Sequence, residues 1–283
     1  MHCTYKLMKK SFLVLILLLS IVLLVVCCNK AKPNLNADSL LFENFEQFEV
    51  GILPFTSLAS SIGNTHLGCG KLDWLKFELG VTPHPIFVCE ENGTKHLRVL
   101  LQKGEIRPVT GSQWNTHLDS SYSELTLSYR VKFDSAFVFK PGKFPGISGG
   151  YHMYGVKPNG HDGFSASLMY WQGGRLSLYV YHPDQKINFG DIIFDSPDSS
   201  NFCFAVNRWY SVLLHVKVNE VGVANGVVCA CVDGKEVLRT DRIRFRDVPT
   251  LGFDNIYFSV FANEIPPQND EYMYFDDIKL TAN

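Results

Sequence analysis

The chain has 283 residues, 46% of them hydrophobic, with 26 Lys and Arg against 28 Asp and Glu. Three of those lysines lie in an N-terminal segment that holds no acid, so the remainder carries 23 basic and 28 acidic residues, a net −5. That balance argues against general nucleic-acid binding, which needs a basic footprint.

The first 28 residues read as a targeting segment. Lys6, Lys9 and Lys10 form a positive start, and residues 12–26 are hydrophobic throughout apart from Ser20. The segment ends in VVCCNK. A cysteine after a hydrophobic run is the site of bacterial lipoprotein processing, which makes Cys28 the lipidation candidate and Cys27 the alternative. The run falls slightly short of the roughly 20 apolar residues that span a bilayer, so a lipoprotein-type or cleaved signal is expected rather than a permanent helix. Either form is exported, as a membrane-anchored lipoprotein at the cell surface or periplasm, or as a secreted protein. Residues 29–40 read as a polar linker and residues 41–283 as one domain, expected to be a monomer.

Strand-like runs follow at short intervals: HLRVLLQ, ELTLSYRVKF, GFSASLMYW, RLSLYVYH, WYSVLLHVKVN, GVVCACVDG, NIYFSVFA and YMYFDDIKL. Turn signals separate them, and Asn225-Gly226 and Asp233-Gly234 read as hairpins. With no long helical periodicity beyond the signal, the pattern predicts an all-β sandwich, best a jelly roll. Five cysteines follow Cys28. Cys69 and Cys89 are paired only as a guess, while Cys229 and Cys231 point to one face of a strand, are not expected to bond each other, and read as core packing.

Between Arg130 and Lys186 seven basic residues stand against three acidic ones, a local +4 that suits a cleft for a polyanion. Inside that stretch, Lys143 lies in the glycine- and proline-rich PGKFPGISGG, whose glycines allow close backbone approach and unusual dihedrals. GFSASLMYW and RLSLYVYH flank Gln172-Gly173-Gly174, a three-residue turn with glycine at the left-handed position. With Trp171 facing Arg175, Ser167 lies opposite Tyr179 and Ser165 opposite Tyr181, while Leu168, Leu178, Ala166 and Val180 share the other face. A one-residue slip would mix the faces, so the register with a clean apolar side also collects two serines and two tyrosines on one surface.

Lys143, Ser165, Tyr179 and Tyr181, at these spacings, resemble the active-site set of the family 14 polysaccharide lyases, which cleave uronic-acid chains by β-elimination. The resemblance runs from about Phe42 to Leu280 and includes Trp209, Val232-Asp233-Gly234, Phe261 and the final YFDDI strand. It departs from the family at Ser167, where the family has an arginine that binds the substrate carboxylate, a bidentate task outside a serine's reach. The resemblance implies a jelly-roll lyase acting on an anionic polysaccharide of the alginate or glucuronan type without a redox cofactor. Lys143 would stabilise the developing enolate or act as base, Tyr179 and Tyr181 would act as base and acid, and Ser165 would orient a phenol or the substrate. Arg175, His152 and His161 are candidates to replace the missing arginine in substrate binding, beside Ser167. Jelly-roll carbohydrate domains often tie their terminal strands with calcium, for which Glu46 and Asp277 are the candidate ligands. Two other readings compete. One is a non-catalytic carbohydrate-binding lipoprotein, which Ser167 favours. The other is a glycoside hydrolase, which needs two carboxylates across a cleft; no E-x-D-x-E strand is present to supply them.

Overall fold

The computed structural model describes residues 39–63, 65–67, 76, 79–81, 83–106, 110–151, 155–196 and 201–283. The targeting segment with Cys28, most of the linker, Cys69 and His152 lie outside the described residues. The linker ends earlier than expected, since Ser39 and Leu40 already belong to the first strand.

Two antiparallel sheets make the fold. The larger, of nine strands, runs β14 (Lys235–Ile243), β13 (Gly226–Val232), β12 (Trp209–Lys217), β7 (Glu124–Phe133), β16 (Glu271–Ala282), β5 (Thr94–Leu101), β4 (Ile86–Glu91) and β2 (Gly51–Ile52), with β1 (Ser39–Glu43) also on β16. The smaller, of seven, runs β11 (Asp191–Ile193), β10 (Leu176–Tyr181), β9 (Gly163–Tyr170), β8 (Gly142–Gly150), β15 (Phe253–Val260), β6 (Ser112–Tyr122) and β3 (Thr65–Leu67). A short helix, α1 (Phe55–Ile62), buries Leu58 and Ile62. No helix among the described residues is long and apolar enough to cross a membrane.

Alternation decides which side of each strand enters the core. In β7, Leu125, Leu127, Tyr129, Val131 and Phe133 face inward; in β12, Tyr210, Val212, Leu214 and Val216 do so. From the smaller sheet, Phe164, Ala166, Leu168 and Tyr170 of β9 meet them, with Leu176, Leu178 and Val180 of β10. Each such aliphatic side chain contributes about 1.5–3 kcal/mol by leaving water. Phe133 is fully buried, with the rings of Phe137, Phe139, Phe144, Tyr170 and Phe204 at 4.7–6.0 Å.

Two turn expectations have different outcomes. Asp233 and Gly234 both take positive φ, 50° and 78°, as the tight hairpin between β13 and β14 requires. Asn225-Gly226 is not a hairpin turn. Residues 218–225 make a longer connection, in which the Asn225 side chain accepts the Glu220 N–H at 2.9 Å and Gly226 already begins β13. The stretch around Lys143 was not among the strand-like runs read from the sequence. It is strand β8, paired with β9 and β15, and its register shifts between Lys143 and Gly146 across Pro145. A bulge accommodates a residue with no N–H to donate. The glycines make room for neighbours: a Cβ at Gly142 would lie 2.1 Å from the Tyr170 ring, and one at Gly146 2.5 Å from the Tyr257 phenol.

Candidate active site

The outward face of the smaller sheet carries the polar residues in transverse rows set by strand register. One row runs His117, Asn255, Ser148, Ser165 and Tyr181 across β6, β15, β8, β9 and β10. The next runs Asn115, Tyr257, Gly146, Ser167 and Tyr179. In a third, Lys143 pairs with Met169 and Met169 with Ser177. The β9–β10 register expected from the sequence is the one observed, Tyr181 opposite Ser165 and Tyr179 opposite Ser167. Met169, Tyr179 and Tyr181, with Trp171 against them, pack as a cluster separate from the core.

Within these rows the candidate residues touch. Lys143 Nζ stands 4.1 Å from the centroid of the Tyr179 ring and 5.8 Å from that of Phe261. The two phenol oxygens of Tyr179 and Tyr181 are 3.2 Å apart, their rings perpendicular at 5.4 Å. The backbone N–H of Gly155 donates to Tyr181 Oη at 3.0 Å. Tyr179 is likewise met by the Gly190 backbone, so each phenol oxygen has a backbone partner beside the other phenol. Burial raises the Tyr179 pKa, and its hydrogen bond to Tyr181 raises it further, so this phenol is held protonated. Burial likewise raises Tyr257, while the nearby Ser167 and Ser165 hydroxyls act in the opposite direction. Ser167 Oγ is buried and makes no hydrogen bond of good geometry. Trp171 Nε1 donates to Ser177 Oγ at 2.8 Å, and Asn255 bonds Ser148 Oγ at 2.8 Å.

Other residues singled out in the sequence stand elsewhere. Arg175 has the parity of the face, but its guanidinium stacks 3.9 Å from the centroid of Phe194 at the turn end of the hairpin. His161 is exposed, with Nε2 4.0 Å from Asp247. Glu46 and Asp277 both lie near the buried Asp276 carboxyl, whose pKa each of them raises. Glu46 accepts the Lys95 N–H at 3.0 Å, and the Arg130 guanidinium lies 3.3 Å from Asp276 and 3.8 Å from Asp277. Among the described residues no three His, Cys, Asp or Glu side chains group to hold a metal ion. Cys89 carries a free thiol, against the bridge to Cys69 guessed from the sequence.

The sequence reading passed over Tyr257, Asn255, Ser148, Asn115 and His117. For β6 the signal was present: Gln113, Asn115 and His117 alternate with Trp114 and Thr116, a half-buried strand pattern with few aliphatics. For Tyr257 no local signal existed, because its position over Gly146 depends on strands distant in sequence.

An all-β sandwich whose outer face unites a lysine, hydrogen-bonded phenols, hydroxyls and amides defines the class, a carbohydrate-active jelly roll. The family model described as polysaccharide lyase 14 matches residues 90–278, more than half of the chain, and the chain belongs to that family. No curated protein sequence matches it. Among solved structures, the alginate lyase Aly36B is 24% identical, covering 85% of this chain and 96% of its own, with a TM-score of 0.70. An alginate lyase from Aplysia kurodai is 21% identical over 87% of this chain and 100% of its own, with a TM-score of 0.69. An endo-β-1,4-glucuronan lyase from the fungus Trichoderma reesei is 13% identical over 71% and 89%, with a TM-score of 0.50. At these identities the likeness establishes the fold.

Proposed function

We propose that this protein cleaves a uronic-acid-containing polysaccharide, of the alginate or glucuronan type, by β-elimination. The observation that carries the proposal is the contact of Lys143 with the hydrogen-bonded pair Tyr179–Tyr181. Elimination removes the C5 proton beside the sugar carboxylate, builds negative charge on that carboxylate, and expels the glycosidic oxygen at C4. Lys143 supplies the positive charge that stabilises the enolate. Tyr181, reacting as the phenolate with its oxygen accepting from Gly155 N–H, takes the C5 proton and becomes the phenol; Tyr179, held protonated by burial, gives its proton to the leaving oxygen. Ser165, opposite Tyr181 in the register and beside the Tyr257 phenol, orients the substrate. The lyases of known structure named above support the substrate class.

Ser167 favours a second reading, a binder of uronate chains that does not cleave them, because no arginine stands at that position to clamp the carboxylate. Incubation with alginate, glucuronan and a neutral glucan separates the readings. A lyase yields ultraviolet-absorbing unsaturated uronate ends from the anionic chains alone. New reducing ends without that absorbance would indicate hydrolysis, and retention without turnover would indicate a binder. The proposal includes export through the N-terminal segment, with lipid on Cys28, which metabolic labelling with a fatty acid would detect in the wild type and not in Cys28→Ala.

A further inference from the structure

The nine-stranded sheet carries a pair of thiols on the side away from the core. In β13, Ala230 enters the core, while Cys229 and Cys231 project from the opposite face. Core packing, as read from the sequence, is therefore the role of Ala230. The two sulfurs stand 4.0 Å apart.

Their surroundings differ. Cys229 is buried, and its thiol donates to Glu236 at 3.1 Å. Cys231 is half-buried and lines a surface groove of about 350 Å³, together with Ser128, Arg130, Ser211, Leu213 and Gly234. Contact with Cys231, burial and the neighbouring Glu236 all raise the Cys229 pKa, which keeps that thiol protonated. The sulfur that a reagent in the groove can reach is therefore that of Cys231, and a thiol reacts as its thiolate.

We infer that Cys229 and Cys231 form a reversible thiol–disulfide couple that reacts with low-molecular-weight disulfides entering the groove. Cys231 thiolate attacks one sulfur of R–S–S–R, forming Cys231–S–S–R and releasing R–S⁻, which takes up the proton Cys231 gave up. Cys229 then loses its proton and attacks the Cys231 sulfur, forming the Cys229–Cys231 bond and releasing the second R–S⁻ to accept that proton. The protein dithiol is oxidised by two electrons, and R–S–S–R is reduced to two R–SH.

The strand makes this bond easy to reverse. Residues two apart on an extended strand have Cα atoms about 6.6 Å apart, near the upper end of the roughly 4.4–6.8 Å range that disulfides span. The β13–β14 pairing shifts register between Ala230 and Cys231, and such a bulge bends the strand and supplies part of the movement needed. A bond formed under residual strain is the readily reduced kind.

The test uses the full chain, reduced and then exposed to oxidised glutathione, with remaining thiols alkylated before tryptic digestion. Residues 218–235 form one tryptic peptide that contains Cys229 and Cys231 and no other cysteine. The wild-type peptide should return unalkylated and two hydrogens lighter, and should revert on mild reduction. Cys229→Ser should stop with one glutathione on Cys231, formed about tenfold faster than on exposed Cys203. Cys231→Ser should leave Cys229 as an alkylatable thiol. A wild-type peptide with both thiols alkylated would overturn the inference, as would glutathione on Cys229 in Cys231→Ser at the wild-type rate. The wild-type digest decides the matter even if a variant does not fold.

Discussion

The outward faces of the two sheets are built from the same alternation and differ in how they settle their charges. On the nine-stranded sheet cations meet acids: Lys132 with Glu91, Arg130 with Asp276, Lys217 with Glu124, Arg208 with Asp233 and Arg239 with Glu236. On the seven-stranded sheet the row residues are mainly neutral hydroxyls, phenols and amides, and Lys143 rests on an aromatic ring. A face whose charges are already compensated offers little to a polyanion beyond its rim. A face of neutral donors around a cation offers a uronate chain hydrogen bonds and one point of charge. The fold therefore supplies two platforms, and side-chain chemistry makes only one of them suited to elimination.

The largest effects should fall on the seven-stranded face. Tyr181→Phe should lower turnover by about 10²–10⁴-fold, the range for removing a general acid–base group, with Tm close to that of the wild type. A loss below tenfold would remove Tyr181 from the proton transfers. Next, Gly146→Ala forces a Cβ against the Tyr257 phenol and the Ala166 carbonyl, and overpacking of this kind costs about 1–3 kcal/mol. Denaturant unfolding should show that loss, and Gly146→Ala with Tyr257→Phe should recover part of it; equal losses would mean that the backbone contact alone is responsible.

On the nine-stranded face the expected effect depends on pH. Burial, with Asp277 beside it, lifts the Asp276 carboxyl to about 6. Because an unfolded Asp titrates near 3.9, the folded chain retains a proton that the unfolded chain has released. The contribution of this group is complete below about pH 4 and is lost as pH rises through 6. Between pH 4 and 7 the wild type should lose about 2 kcal/mol relative to Asp276→Asn, read from paired unfolding curves. A difference constant with pH would contradict the burial argument. The smallest effect belongs to Ser177→Ala, which removes the Trp171 indole bond and should cost about 1 kcal/mol, visible as a small shift in urea midpoint.

Much of this arrangement was legible in the sequence, for reasons that also explain what was not. The β9–β10 register could be read because GFSASLMYW and RLSLYVYH each have two distinct faces joined by a short glycine turn, so only one alignment keeps them separate. Strand β8 could not, because glycine and proline are poor strand formers on their own, and its place depends on Tyr170 and Tyr257 lying across Gly142 and Gly146. Asn225-Gly226 and Asn92-Gly93 carry the same dipeptide, yet only the latter takes positive φ at both positions, 55° and 79°; the length of the connection decides. Arg175 had the right parity, but parity does not reveal that Phe194 stacks on its guanidinium. For Cys229 and Cys231 the shared face was evident, and which face it was depended on Ala230 entering the core.

The comparison between faces and the elimination chemistry meet in one assay, the rate of unsaturated-uronate formation by Lys143→Ala beside Lys217→Ala. Lys217 belongs to an exposed ion pair with Glu124 on the opposite sheet, and such pairs are worth about 0–1 kcal/mol. The account predicts that Lys143→Ala loses about 10²–10³-fold in turnover, as removal of a transition-state charge stabiliser does, while Lys217→Ala keeps the wild-type rate. Equal rates in the two variants would contradict it.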